Sequence, residues 1–89
     1  MISHTTQRFR KAFARLPTQV KPQAKEAYKQ FQQDPFHPSL RFKRIHSTRP
    51  IYSVRINIDY RAVGIQNENE LIWFWIGSHE DYSKLLRNL

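Results

Sequence analysis

The chain has 89 residues, of which 39 % are hydrophobic and 13 % aromatic, which predicts one small folded domain over residues 1–89 and argues against a disordered chain. It contains no cysteine, which excludes a disulfide scaffold, a thiolate metal site and a cysteine nucleophile. The longest apolar run, Leu71–Ile76, is much shorter than the ~20 residues of a membrane helix, and no secretory signal is visible, so we expect a cytoplasmic protein.

The charge of the chain is strongly positive and unevenly distributed. Fifteen Lys and Arg residues against seven Asp and Glu residues give a net charge of +8. Residues 1–61 carry a net charge of +10, whereas residues 62–89 carry −2. Such a distribution is typical of a surface that binds a polyanion, most commonly a nucleic acid. An acidic protein partner, or a surface charged only for solubility, fits the same distribution.

The first third of the chain has helical periodicity in two stretches. The first begins behind Thr5 or Thr6 as an N-cap and ends at Pro17, and the second begins behind Thr18. Asp34–Pro38 ends the second helix, because proline pushes the residue before it out of the helical region. The apolar stripes of the two helices consist of Phe9, Phe13 and Leu16, and of Val20, Ala24, Ala27 and Phe31. The two stretches predict a helical hairpin.

From residue 40 onward the apolar period changes to two, which predicts strands over residues 40–45, 51–58, 60–65 and 71–76. Leu71–Ile76 is apolar at every position and therefore fits a central strand covered on both faces. Ile2–Thr5 suits a short extra strand, and Ser78 with Asp81 forms a capping box for a last helix that reaches Leu89. The predicted fold class is α+β, with an N-terminal helical hairpin packed on a small antiparallel β-sheet and a short C-terminal helix.

The alternation of the strands separates a core face from a charged face. It places Val54 and Ile56 beneath the helical hairpin, and Arg55 and Arg61 exposed on the opposite face. Two guanidinium groups on adjacent strands can converge on one phosphate, for which their forked donors are suited. His79, just past the central strand, is the side chain type that exchanges protons near neutral pH, and Tyr82 lies about one turn further along. The spacing alone fits an RNA cleavage site, but it also fits ordinary exposed arginines and a histidine at a helix start.

Two segments resemble the RelE/ParE superfamily of toxin–antitoxin toxins. Ile51–Gly64 reads IYSVRINIDYRAVG, and Ile72–Tyr82 reads IWFWIGSHEDY. The first segment is similar to the family pattern of a Tyr-x-hydrophobic-Lys/Arg strand followed by a turn into Tyr-Arg-hydrophobic. The second is similar to the last strand of the family, which runs into a Gly, then a basic residue or His, and then a later Tyr. His37–Ile45, which reads HPSLRFKRI, is similar to the lead-in strand of the family. Together with the helical hairpin, the resemblance covers nearly the whole chain.

The resemblance implies a function and assigns roles to residues. It implies a toxin of the RelE type, which is a metal-independent endoribonuclease acting on mRNA in the ribosome, held inactive by an acidic antitoxin. Its implied catalytic residues are Arg55, Arg61, His79 and Tyr82, and we expect RNA contacts from Arg41, Lys43, Arg44 and Ser53. Ser53 stands where the family has a lysine, and His37 is the only stand-in for the glutamate base of related enzymes.

Two alternatives stay open at this stage. The first is a ParE-type inhibitor of DNA gyrase, which keeps the fold without the nuclease residues, and the second is a degenerate member that only binds a protein partner.

We expect neither a cofactor nor a zinc site, because the four histidines lack the close spacing of metal ligands. Trp73 and Trp75 are aromatic groups of the kind that stack on bases, but in an all-apolar strand we interpret them as packing residues.

Overall fold

The computed structural model describes residues 2–89, which form three α-helices, one short 3₁₀ helix and five strands. The elements in chain order are β1 Ile2–Thr5, α1 Gln7–Ala14, α2 Val20–Gln33, the 3₁₀ helix Pro38–Leu40, β2 Lys43–Arg44, β3 Ile51–Arg55, β4 Tyr60–Asn67, β5 Glu70–Ser78 and α3 His79–Arg87. None of the helices that residues 2–89 form is long and apolar enough to cross a membrane.

The five strands form one sheet in the order β1-β5-β4-β3-β2. Each neighbouring pair from β2 to β5 is antiparallel, as predicted, whereas β1 runs parallel to β5 with Thr5 opposite Trp73. The sheet is therefore mixed and not purely antiparallel. Periodicity predicts that Ile2–Thr5 is a strand. It does not show whether this strand runs parallel or antiparallel to its neighbour.

The helical hairpin covers one face of the sheet and forms the main core. Phe31 of α2 is 2 % exposed, and its ring packs edge-to-face on Phe42 at 5.1 Å and on Trp73 at 5.2 Å between ring centroids. Val54 is buried in this core as predicted, and Ile56 packs against it while half-buried. The predicted strand parity is thus confirmed on the hairpin side.

The helix α3 covers part of the opposite face and forms a second, smaller core. Tyr82 packs there with Ile51 and Val63, all three of them buried. Arg55 and Arg61 lie on this face as predicted, but they are half-buried rather than exposed. Arg61 is bonded to the carbonyls of the β3–β4 turn, and Arg55 borders a groove lined by residues of α2. Both faces of the central strand β5 are consequently covered, in agreement with its uninterrupted apolar sequence.

A β-bulge in β5 changes which of its residues face the hairpin. Val63 of β4 pairs with Trp75 and Gly64 pairs with Trp73, so Phe74 between them has no partner on β4. The bulge shifts the alternation by one residue. Leu71, Trp73 and Ile76 therefore all belong to the main core, although strict alternation would have placed Ile76 on the other face.

The helix starts follow the predicted caps in two cases out of three. The Oγ1 atom of Thr6 accepts a hydrogen bond from the Phe9 N–H at 3.1 Å, and the Oγ atom of Ser78 accepts one from the Asp81 N–H at 3.1 Å. The prediction that Thr18 caps α2 is wrong, because α2 begins at Val20 without a side-chain cap. The carbonyl of Pro17 accepts the Val20 N–H at 2.9 Å and satisfies that donor with backbone alone.

Two predicted strands are shorter than their sequence pattern. The predicted strand over residues 40–45 is reduced to Lys43–Arg44, because Pro38–Leu40 forms a 3₁₀ helix and Arg41 adopts the left-handed conformation with φ 46°. The strand predicted over 51–58 ends at Arg55, and Ile58 lies in the following turn with 70 % of its surface exposed. In both places the local backbone geometry ends a strand that alternation alone would extend.

We predict that the aromatic cluster around Phe31 determines stability. Phe31→Ala removes the ring that contacts both Phe42 and Trp73, and we expect the free energy of unfolding to fall by about 3–5 kcal/mol in urea titrations. Ile58→Ala is the control, because this side chain is 70 % exposed and its loss is expected to change stability by less than about 0.5 kcal/mol. Equal stability of the two variants would contradict the assignment of the core.

Candidate functional site

Three arginines lie close together at one end of the sheet, and two of them are paired on the face of α3. Arg55 of β3 is directly opposite Arg61 of β4, and Arg61 is directly opposite Gly77 of β5. Residues directly opposite each other in antiparallel strands point to the same face. Arg41 precedes β2 in a left-handed conformation, and its charge is near enough to Arg61 to lower the pKa of that guanidinium. We call Arg41, Arg55 and Arg61 the arginine row.

The arginine row has little compensation by negative charge. The ion pairs among residues 2–89 are His4 with Glu70 and Lys84 with Asp81, and neither includes an arginine of the row. Burial lowers the pKa of Arg61, the neighbouring charges of Arg55 and Arg41 lower it further, and Tyr82 and Asp59 oppose this decrease. An arginine remains charged at neutral pH even so. Like charges directly opposite each other destabilise a sheet, so this arrangement favours the binding of an anion.

Arg61 is held in place by the turn between β3 and β4. Its Nη1 atom donates hydrogen bonds to the carbonyl oxygens of Asn57 at 2.6 Å, Tyr60 at 3.0 Å and Ile58 at 3.4 Å. A guanidinium group has five N–H donors. The hydrogen bonds that Arg61 makes within residues 2–89 use Nη1 only, so Nε and Nη2 remain for a ligand. The same side chain thus fixes the turn and presents a donor pair in a fixed orientation.

His79 lies at the same end of the sheet as Arg61. It is the first residue of α3, it is exposed, and its backbone N–H donates to the carbonyl oxygen of Asp59 at 2.6 Å. This bond connects the start of α3 to the turn that Arg61 holds. The structure therefore brings together His79 and the arginines that sequence analysis predicted as catalytic.

Tyr82 and Ser53 lie beneath α3 rather than at the surface. Tyr82 is 6 % exposed and Ser53 is 2 % exposed, and the Tyr82 hydroxyl donates to Ser53 Oγ at 3.2 Å. The Tyr82 ring also lies 5.9 Å from the His79 ring between centroids. The expected contacts of Ser53 with RNA and of Tyr82 with a base or proton are out of reach in this conformation. The buried Tyr82, held by its hydrogen bond to Ser53, instead packs its ring against the His79 ring.

The remaining candidates lie around the β2 edge of the sheet. Arg41 and Lys43 are exposed, and Lys43 shares the face of the arginine row because it is opposite Ser53. Arg44 is exposed, but its Nε atom donates to the carbonyl oxygens of His46 and Arg49 at 3.0 and 3.2 Å, so it holds the β2–β3 loop. His37 caps the 3₁₀ helix, with its Nδ1 atom 2.7 Å from the Oγ atom of Ser39.

Trp75 and Gly77 also border the arginine row, although the sequence pattern predicts only packing for Trp75. A Cβ atom built on Gly77 would lie 2.9 Å from Cζ2 of Trp75, so the indole ring rests over the space that this glycine leaves. Because Gly77 is the β5 partner of Arg61, the half-buried ring borders the arginine row. The sequence signal is a tryptophan two residues before a glycine, a spacing that places both on one face of a strand.

We predict opposite effects on stability for the two paired arginines. Arg61→Ala removes three hydrogen bonds to the carbonyls of the β3–β4 turn and is expected to lower the free energy of unfolding by about 1–3 kcal/mol. Arg55→Ala removes only a repelling neighbour and is expected to leave stability within about 1 kcal/mol or to raise it. Urea titration of both variants measures the difference, and greater destabilisation by Arg55→Ala would contradict this geometry.

Known proteins share the fold of this chain. The model of the ParE-like toxin domain family matches residues 18–84. In fold, the chain is similar to a chain of the RelB–RelE antitoxin–toxin complex from Methanococcus jannaschii, with a TM-score of 0.73 and 16 % identity over 91 % of this chain and 95 % of that one. No curated protein sequence matches the chain.

Two further solved structures have the same fold. The YoeB/ParE toxin from Agrobacterium tumefaciens gives a TM-score of 0.67 at 14 % identity, covering 89 % of this chain and 99 % of that chain. The isolated RelE toxin of Escherichia coli gives 0.65 at 16 % identity, covering 98 % of this chain and 96 % of that chain. At these identities the similarity establishes the fold, whereas the family match spans most of the chain. The chain therefore belongs to the ParE-like toxin domain family, within the RelE/ParE superfamily of toxins.

Proposed function

We propose that this chain is the toxin of a toxin–antitoxin system and that it cleaves mRNA on the ribosome as a metal-independent endoribonuclease. The observation that carries the proposal is the arginine row, in which Arg55 and Arg61 are directly opposite each other without an ion pair, beside the exposed His79. A half-buried pair of like charges is costly for the fold alone. Such a pair is useful where a phosphate supplies the missing negative charge.

In the proposed reaction, the ribose 2′-oxygen attacks the adjacent phosphorus and the bond from phosphorus to the 5′-oxygen breaks. The 2′-hydroxyl loses its proton to solvent, and His79 as imidazolium gives a proton to the departing 5′-oxygen. Arg55 and Arg61 donate hydrogen bonds to the phosphate oxygens as negative charge increases in the transition state. The role of Arg61 depends on its fixed orientation, because a donor held in advance needs no rearrangement during the reaction.

We also propose an acidic antitoxin as the partner that keeps the toxin inactive. RelE chains from Methanococcus jannaschii and Pyrococcus horikoshii crystallised as complexes with RelB antitoxins, and they share the fold of this chain. Residues 1–61 carry a net charge of +10, which favours an acidic segment that folds on binding.

A toxin of the ParE type is the second candidate, and one observation favours it. The family model that matches the chain is described as ParE-like, and Tyr82, an expected catalytic residue, is buried. In this alternative the arginine row binds acidic side chains of a protein target, DNA gyrase, and no proton is transferred. The two functions differ in their dependence on His79, which is required only for cleavage.

We predict that Arg55→Ala and His79→Ala each abolish growth inhibition and mRNA cleavage in a translation extract. Loss of a transition-state contact from Arg55 is expected to lower the cleavage rate by about 10²–10³, and loss of the proton donor by about 10²–10⁴. Primer extension on an mRNA bound to ribosomes measures cleavage, and circular dichroism checks that each variant is folded. We use Arg55 and not Arg61 because Arg61 also holds the turn.

Arg87→Ala is the matched control, because it removes an exposed arginine from the last turn of α3. It is expected to retain cleavage. Full toxicity of both Arg55→Ala and His79→Ala would contradict the ribonuclease proposal. Loss of toxicity in Arg55→Ala with full toxicity in His79→Ala, together with intact mRNA and altered DNA supercoiling, would favour the gyrase inhibitor.

We predict that binding of the antitoxin depends strongly on salt. If acidic residues of the antitoxin meet the basic surface of this chain, the association rate constant should fall by about tenfold or more between low and high salt. Stopped-flow measurements with the product of the neighbouring reading frame provide the test. A rate that is independent of salt would contradict an electrostatic interface and indicate a mainly apolar one.

A further inference from the structure

A groove of about 430 Å³ lies between α1 and the β5 edge, outside the arginine row. Its β5 side is formed by Phe74, Trp75 and Ile76. β1 pairs with β5 only as far as Trp73, so the β5 edge beyond Trp73 has no strand partner within residues 2–89. The bulge at Phe74 lies in this free stretch.

The α1 side of the groove is basic. Arg8, Lys11 and Arg15 line it, and they are three and four residues apart, so they share one side of the helix. All three are exposed, and α1 itself contains no acidic residue. No ion pair within the described part of the chain includes them. The opposite side of α1 packs Phe9 and Phe13 on the main core, which keeps the basic side oriented toward the groove.

The groove is continuous with the arginine row through Trp75. Trp75 lines the groove, and its ring extends over Gly77, which is directly opposite Arg61. Adjacent strands lie ~4.8 Å apart, so β5 is separated from Arg55 on β3 by roughly 10 Å. A polymer bound at the arginine row therefore needs to extend only about two strand spacings to reach Trp75 at the groove.

We propose that this groove, defined by Arg8, Lys11, Arg15, Phe74 and Trp75, binds the single-stranded RNA beyond the phosphate held by the arginine row, with one base stacked on Trp75. A half-exposed indole bordered by unpaired cations is the combination that binds single strands without sequence preference. The inference rests on the proposed ribonuclease function and adds the surface that holds the substrate strand. An acidic polypeptide is the other polymer whose charge fits, and the test below separates the two.

The fluorescence of the two tryptophans provides a direct test. Trp73 is 2 % exposed, so quenching by a stacked base is expected from Trp75 alone. The probe is a short single-stranded 2′-O-methyl RNA, which is not cleaved by attack of the 2′-oxygen. We expect it to quench the wild-type emission, and we expect Trp75→Leu to weaken its affinity by about 5- to 150-fold in fluorescence anisotropy. Trp75→Phe keeps an aromatic ring and should retain most of the affinity while losing the quenching.

The cations of α1 are tested by the salt dependence of binding. The double variant Arg8→Gln with Lys11→Gln should reduce the slope of log K against log salt concentration by about 1.4, if each side chain contacts one phosphate of a single strand. The matched control, Lys25→Gln with Lys29→Gln, removes the same charge from exposed positions of α2 and should leave the slope nearly unchanged. Equal slopes for the two double variants would overturn the assignment of the groove.

Other outcomes separate this inference from the proposed function. Unchanged RNA affinity in a folded Trp75→Leu variant, with mRNA cleavage still lost in Arg55→Ala, would overturn the groove and leave the ribonuclease intact. Quenching by RNA without cleavage by the wild-type chain would overturn the ribonuclease but not RNA binding in the groove. Stronger quenching by poly-glutamate than by RNA of similar charge would overturn the RNA assignment and indicate an acidic polypeptide.

Discussion

The pairing of β3, β4 and β5 is the constraint on which the candidate site depends. In this register Arg55, Arg61 and Gly77 lie side by side on one face of the sheet. A slip of one residue would move both arginines beneath the helical hairpin, where buried and unpaired charges are strongly unfavourable. Burial of Val54 and Ala62 on the hairpin side therefore fixes the place of the charged residues on the other side. Core packing and the candidate site are two consequences of one alternation.

The unfavourable pairing of two arginines is offset by the elements around it. Three carbonyl oxygens of the β3–β4 turn accept hydrogen bonds from Arg61, and the Asp59 carbonyl accepts the N–H of His79. The turn is thus fixed from β4 on one side and from α3 on the other. Tyr82 and Ser53 close the small core beneath α3, so a residue expected to take part in chemistry contributes to positioning instead. The site is therefore held by structural contacts from the turn and from α3.

Alternation and capping residues predict much of the fold, and the failures have local causes. Apolar periodicity locates the three helices and the β3, β4 and β5 strands, because burial of one face dominates those segments. It does not reveal that β1 is parallel to β5, since side chains alternate in the same way in parallel and antiparallel strands. It also predicts too long a strand after Leu40, because Arg41 adopts a left-handed conformation that no sequence pattern predicts. Arg55 and Arg61 share a face as predicted because strand alternation decides their side, and His79 lies nearby because it follows directly after β5. The burial of Ser53 depends instead on how α3 packs.

The proposed function requires that the arginine row is one anion-binding site facing the substrate. The most direct measurement is NMR of the arginine side chains while an uncleavable 2′-O-methyl dinucleotide is titrated into the protein. We expect the Nε–H signals of Arg55 and Arg61 to shift together, with a single dissociation constant, and the Arg61 signal to stay unchanged in Arg55→Ala. Shifts confined to arginines outside the row, with Arg55 and Arg61 unchanged at saturation, would contradict it.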